Sequence, residues 1–315
     1  MKEIYILLFY KFIEIDSPEK LAKEQLELCK STGLKGRILI AKEGINGSVS
    51  GTKEQIDKYI EAMRNDPRFS DMIFKEALSN EHAFKRISTH VKKEIVRFER
   101  PVNLQKKGKY LSPKEFLDLY KNNEDVVILD TRNDYEHTVG KFKKAITLNI
   151  ETFKEFPDAI KDLEDKKSKK IVMYCTGGIR CEKASAFMVE QGFNNVYQLE
   201  GGILNFCKEF PDTLWEGKCF VFDKRLVSKV NKKDQTISRC HECNELSDHY
   251  RNCRNSMCDK LIILCVNCET NMKGCCSKDC INEFEKYCRK KAFENQGKSL
   301  RNQNSTDSLE QPDRL

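Results

Sequence analysis

The sequence predicts a mixed α/β chain built as three blocks and a tail, and three observations predict it. Roughly the first hundred residues carry strand and helix signals in the order β-α-β-β-α-β. Residues 108–216 alternate short apolar strands with helical patterns. Ten of the fifteen cysteines are crowded between Cys240 and Cys288. At 315 residues the chain exceeds one ordinary small domain.

Block one, residues 1–100, opens with the apolar run from Ile4 to Ile13. Ser17-Pro18 then offers an N-cap followed by a proline suited to a first helical turn. Leu21, Leu26 and Leu28 give the helix apolar positions, and Gly33 can end it. Strands at 37–41 and 45–50 flank a turn at Glu43-Gly44. Thr52-x-x-Gln55 is a capping box for a second helix to about Arg64. Ile73-Phe74 and residues 84–91 supply further extended segments. This order is that of a ferredoxin-like α+β domain. Lys85, Arg86, Lys92, Lys93, Arg97 and Arg100 crowd the segment 84–100. They suit RNA phosphates, and they equally suit a solvated edge strand.

Block two, residues 108–216, starts a helix at Ser112-Pro113-x-Glu115, again a capping box with proline at the first helical position. Apolar strands at 126–129, 171–174 and 196–199 end at Asp130-Thr131-Arg132, Cys175 and Glu200-Gly201-Gly202. A helix covers 181–191. Short apolar strands separated by helices imply a parallel sheet covered on both faces.

Composition narrows the classes further. Charged residues make up 33% and apolar residues 39%, and the net charge of +7 favours a polyanionic partner such as RNA. No run of about 20 apolar residues occurs, so no membrane span is expected. The apolar start is interrupted by Lys11 and Glu14 and lacks a small-residue cleavage site, so it reads as a strand of a cytoplasmic protein rather than a leader. In a reducing compartment the cysteine crowding points to metal, not disulfides. No glycine-rich dinucleotide fingerprint is present, so no nucleotide cofactor is expected.

The segment with chemistry is Cys175-Thr176-Gly177-Gly178-Ile179-Arg180. It lies at the carboxyl end of a parallel strand, where ligand crevices form. The next helix directs its N-terminal amides and positive dipole end at the loop. Gly177 and Gly178 let successive amides converge, and Arg180 adds a fixed charge. A thiolate at Cys175 is stabilised there, which makes it the candidate nucleophile. Thr176 to Arg180 form the candidate substrate- or anion-binding loop, with Arg180 the foremost substrate contact. Cys181 is either a resolving thiol or an apolar packing group. Asp130 and Arg132 read as a structural ion pair.

This loop, with Asp130-Thr131-Arg132, Glu136, Gly140-x-Phe142-x-x-Ala145 and Leu199-Glu200-Gly201-Gly202-Ile203, resembles the rhodanese domains. Taken with 36–47 (Gly-Arg-Ile-Leu-Ile-Ala-x-Glu-Gly-Ile-Asn-Gly), Asp66-Pro67-Arg68-Phe69, 91–96 and Cys219-Phe220-Val221-Phe222-Asp223-x-Arg225, the chain resembles the tRNA uridine hydroxylase family. That resemblance implies tRNA as partner, molecular oxygen as co-substrate and conversion of the wobble uridine to 5-hydroxyuridine, with Cys175 essential. A persulfide or thiolate at Cys175 attacking C6 of uracil would activate C5. A plain persulfide sulfurtransferase is the alternative, and the sequence leaves the oligomeric state, the tRNAs used and the electron source open.

Block three, residues 217–291, pairs its cysteines closely. Cys240 with Cys243 and Cys265 with Cys268 make one set of four. Cys253, Cys258, Cys276 and Cys280 make a second, with Cys275 and Cys276 not separable by spacing. Two structural zinc ions suit such all-thiolate sets. His241, between two ligands, is read as a non-ligand. Lys232, Lys233, Arg239, Arg251 and Arg254 lie around this module and could add to a tRNA-binding face. The polar residues 292–315 read as a disordered tail.

Overall fold

The computed structural model describes residues 3–122 and 124–304, with side chains as far as Lys291. Two compact units emerge, Met1–Gln235 and Thr236–Leu315.

The first unit begins with β1 (Ile4–Phe12), α1 (Pro18–Ser31), β2 (Lys35–Ala41), β3 (Gly44–Gly51), α2 (Lys53–Arg64), β4 (Phe74–Ser79) and β5 (Ile87–Val91). The sheet order is β4-β1-β3-β2-β5. The first four strands are antiparallel, which is the expected ferredoxin-like arrangement, and β5 adds in parallel to β2. Thr52 and Gln55 close the capping box at α2. Leu7, Phe9, Ile38, Ile40, Ile45 and Val49 from one sheet face bury against Leu21, Cys29, Ile56 and Tyr59 of the two helices. Alternate positions along each strand supply that face because successive side chains point to opposite sides.

A second sheet in the same unit uses β6 (Lys109–Leu111), β7 (Val126–Asp130), β9 (Ile146–Thr147), β10 (Lys170–Tyr174) and β11 (Asn195–Leu199). Its order is β6-β11-β10-β7-β9 and every pairing is parallel. The helices α3 (Pro113–Lys121), α4 (Asp134–Thr138), α5 (Phe156–Ala159), α6 (Ile179–Glu190) and α7 (Gly202–Glu209) alternate with the strands, and β8 (Gly140–Phe142) pairs with β12 (Trp215–Gly217). Ile171 and Met173 of β10 face one core, and Val172 and Tyr174 face the other. Both faces of the strand are therefore covered, which is why it reads as an unbroken apolar run.

Residues 217–235, grouped by sequence with the cysteine block, fold onto this first unit. There β13 (Cys219–Phe220) and β14 (Val227–Ser228) form a small hairpin, Phe220 packs edge-on to Tyr135, and Lys233 N–H donates to Asp212.

The second unit contains the hairpin of β15 (Tyr250–Asn252) and β16 (Leu261–Ile263), then α8 (Val266–Asn271) and α9 (Lys278–Asn304). Its apolar core is small: Ile262, Leu264 and Met272 join Cys240 and Cys268. The tail expected from residue 292 is helical backbone as far as Asn304; residues 305–315 lie outside the described part. No described helix is long and apolar enough to cross a membrane.

Candidate active site and cysteine clusters

The loop from Cys175 to Arg180 leaves β10 and enters α6, as its sequence requires. The Gly178 amide donates to Cys175 Sγ at 3.1 Å. Gly178 adopts φ +102°, a conformation open to glycine and strained for L side chains. Ile203 and Leu204 at the start of α7 donate their amides to the carbonyls of Cys175 and Thr176. Gly202 makes that approach possible: a Cβ there would lie 2.3 Å from the Cys175 carbonyl oxygen. The Gly201-Gly202 step read from the sequence thus locks the back of the cysteine loop. Thr176 Oγ1 is buried without a hydrogen-bond partner.

Burial alone would push the Cys175 thiol up. The contact with Cys181, the Arg180 charge and the amides of Arg180 and Gly178 outweigh it and bring Cys175 below the ordinary thiol range. Burial and the neighbouring Cys175 hold Cys181 well above it. Cys181 Sγ also lies 3.7 Å from Thr131 Oγ1. Cys175 is therefore the anionic member of this pair.

Two expectations change here. The Cys175 sulfur does not sit in an open crevice; the residue is 0% exposed. Arg180 is not free for substrate: its guanidinium forms a two-pronged, buried ion pair with Glu136, with Nη2 to Oε2 at 2.8 Å. Glu136 is held in turn by the Asn133 amide at 3.1 Å. The sequence marked Glu136 only as part of a signature, because its partner lies 44 residues away. The half-exposed Phe222 lies beside Arg180, whose guanidinium carbon is 5.7 Å from the ring centre. Asp130 and Arg132 are a fully buried pair, as read from the sequence, with Tyr174 donating to Asp130 at 2.6 Å.

The ferredoxin-like domain supplies residues that sequence reasoning missed. Lys75 on β4 donates to the Gly177 carbonyl. Tyr10 on β1 donates to Glu182 Oε1 at 3.2 Å. Glu182, buried on the first turn of α6, also accepts from Tyr110 at 2.6 Å and Lys107 at 2.7 Å. Lys183 is clasped by Glu43 and Glu94 and donates to the Val96 carbonyl. Glu43 and Glu94 sit in the motif segments 36–47 and 91–96, so those segments tie the first domain to the helix behind the cysteine loop. No local spacing signals these contacts.

In the second unit, Cys240, Cys243, Cys265 and Cys268 converge, as do Cys253, Cys258, Cys276 and Cys280, with the sulfurs of each set all within 4.8 Å of one another. The geometry takes Cys276 and leaves out Cys275 and His241. Cys243 lies 3.6 Å from Cys265, Cys258 lies 3.6 Å from Cys276, and Cys276 lies 3.5 Å from Cys280. Four sulfurs about 2.3 Å from a tetrahedral zinc stand roughly 3.8 Å apart, so these sets fit zinc.

Comparison with known proteins agrees with this architecture. The UPF0176 acylphosphatase like domain matches residues 4–95, a Rhodanese-like domain matches 112–209, and a Rhodanase C-terminal domain matches 216–281. A protein of Cytophaga hutchinsonii named tRNA uridine(34) hydroxylase is 46% identical over 283 residues, covering 89% of this chain and 90% of that one. The chain belongs to the tRNA uridine(34) hydroxylase family. A Bacillus mycoides member of the family is also 46% identical, over 286 residues and 89% of each chain. It follows that the rhodanese-type loop here is part of an enzyme.

Proposed function

We infer that this chain hydroxylates uridine 34 of tRNA at C5, in the cytoplasm, with Cys175 as the reactive residue. The observation that carries this reading is a buried thiol that accepts the Gly178 amide at the start of α6, where nearby charge and amides pull it below the ordinary thiol range, in a family whose members are named for that reaction. The sulfurtransferase alternative is not favoured by family membership.

The chemistry follows from the site. Uracil C6 is electrophilic because the C5–C6 double bond is conjugated with the C4 carbonyl. Addition of the Cys175 thiolate to C6 moves the electron pair onto C5 and O4, which makes C5 nucleophilic. Amides of the loop and the α6 N-terminus stabilise the sulfur before attack and as it leaves. One atom of molecular oxygen bonds to C5 and the other leaves as water, with two electrons drawn from a thiol reductant. Loss of the C5 proton and departure of Cys175 restore the double bond. Because the sulfur is covered, the base enters when the cover over the loop moves.

Lys85 and Arg86 before the edge strand β5, and Lys92, Lys93, Arg97 and Arg100 after it, are all exposed, which suits tRNA phosphates. The two sulfur sets (Cys240, Cys243, Cys265 and Cys268; Cys253, Cys258, Cys276 and Cys280) would hold zinc as all-thiolate structural sites that shape the second unit, outside the Cys175 chemistry. We assign residues 1–100, 108–235 and 236–291 to the three functional blocks. The test is incubation of purified protein and tRNA under ¹⁸O₂ with a thiol reductant. Mass spectrometry should show 5-hydroxyuridine carrying one heavy oxygen; unlabelled product formed under ¹⁸O₂ would overturn the oxygenation step.

A further inference from the structure

Arg180 is the obvious counter-charge for Cys175, yet its guanidinium is already matched by both oxygens of Glu136. A second cation that reaches the loop is Lys75. Its ammonium donates to the Gly177 carbonyl, two residues past Cys175, and lies 5.4 Å from the centre of the Tyr10 ring. Among the described residues no carboxylate forms an ion pair with it. Burial pushes this ammonium below the ordinary lysine range, while the negative charge of Cys175 and Glu182 pulls it back up. Tyr10 fixes the same corner, since its hydroxyl sits 2.9 Å from where a Gly178 Cβ would stand.

We propose that Lys75 is a positioning residue for the reactive loop: its ammonium, delivered by the ferredoxin-like domain, pins Gly177 and adds an unmatched positive charge to the groups that keep Cys175 ionised. The proposal rests on Cys175 being the reactive centre. It gives the first domain a role in chemistry, because Cys175 is fully activated only while β1 and β4 are docked on the loop. An unmatched cation within about 4–6 Å of an acid lowers its midpoint by about one pH unit or more.

The other charged and titratable groups that act on this corner stay constant in the comparison: Tyr10 from β1 and Arg180 and Cys181 on α6 act on Cys175, while Glu182 on α6, Cys181 and Glu200 after β11 act on Lys75. Glu182 is itself matched by Lys107 and two tyrosine hydroxyls.

The experiment is iodoacetamide labelling of the whole protein across pH, with alkylation at Cys175 read by peptide mass spectrometry and each curve scaled to its own plateau. Lys75→Gln should raise the midpoint by about one pH unit, and Lys75→Arg should restore it. An unchanged midpoint in Lys75→Gln overturns the proposal. So does an equal rise in both variants, which would mean shape rather than charge is what matters. The labelling contains no tRNA, so absence of 5-hydroxyuridine from wild-type reactions would defeat the hydroxylase reading while leaving the midpoint shift standing.

Discussion

Cysteine serves opposite ends in the two compact units of this protein. In the first, Cys175 is one thiol set between extensive apolar cores, and its ionisation comes from amides and fixed charges around it. In the second, eight thiols in two sets stand where a core would otherwise be, beside only a few buried apolar side chains. A large core can hold one strained, desolvated anion in place. A small unit has no such surplus and must be held together by its ligands. On the proposed reading, the first arrangement leaves one thiolate to meet an electrophile, whereas in the second all four sulfurs of each set would be taken up by a bound ion.

The largest effect should come from removing metal. Chelation should unfold the second unit, since structural zinc contributes on the order of 10 kcal/mol per ion in small domains. Hydrogen exchange should show protection lost across β15, β16 and α8 while β10 stays protected. Retained protection in the hairpin under chelator would break the contrast by showing that the second unit stands on its apolar contacts.

Within the first unit the expected effects are smaller. Glu136→Gln leaves the buried Arg180 without its anion and should cost about 3–5 kcal/mol in urea denaturation. Replacing both residues with apolar side chains of similar size should recover most of that. A Glu136→Gln loss near zero would mean the guanidinium is free to pair elsewhere, including with substrate.

Much of this was legible in the sequence because it is local. The run Ile171 to Tyr174 announced a strand covered on both faces, the capping boxes at Thr52 and Ser112 fixed two helix starts, and the cysteine pairs announced their own grouping. What stayed hidden depends on tertiary contact. Lys75 lies on a strand with a weak burial pattern, and its partner Gly177 is 102 residues away. Glu136 carries no hint that it will occupy Arg180. Strands β8 and β12 are three residues each and exist only because they pair with each other. The burial of Cys175 among apolar side chains such as Leu129, Ile171 and Met173 likewise depends on tertiary packing, and a strand–loop–helix motif read alone shows only an open end.

The most direct test of the reactive role of Cys175 is nucleoside mass spectrometry on tRNA from a deletion strain complemented with either the wild-type chain or Cys175→Ser. The wild-type chain should restore 5-hydroxyuridine at position 34 and the variant should leave it at the deletion level. Equal restoration by both would contradict the assignment of this thiol as the reacting group.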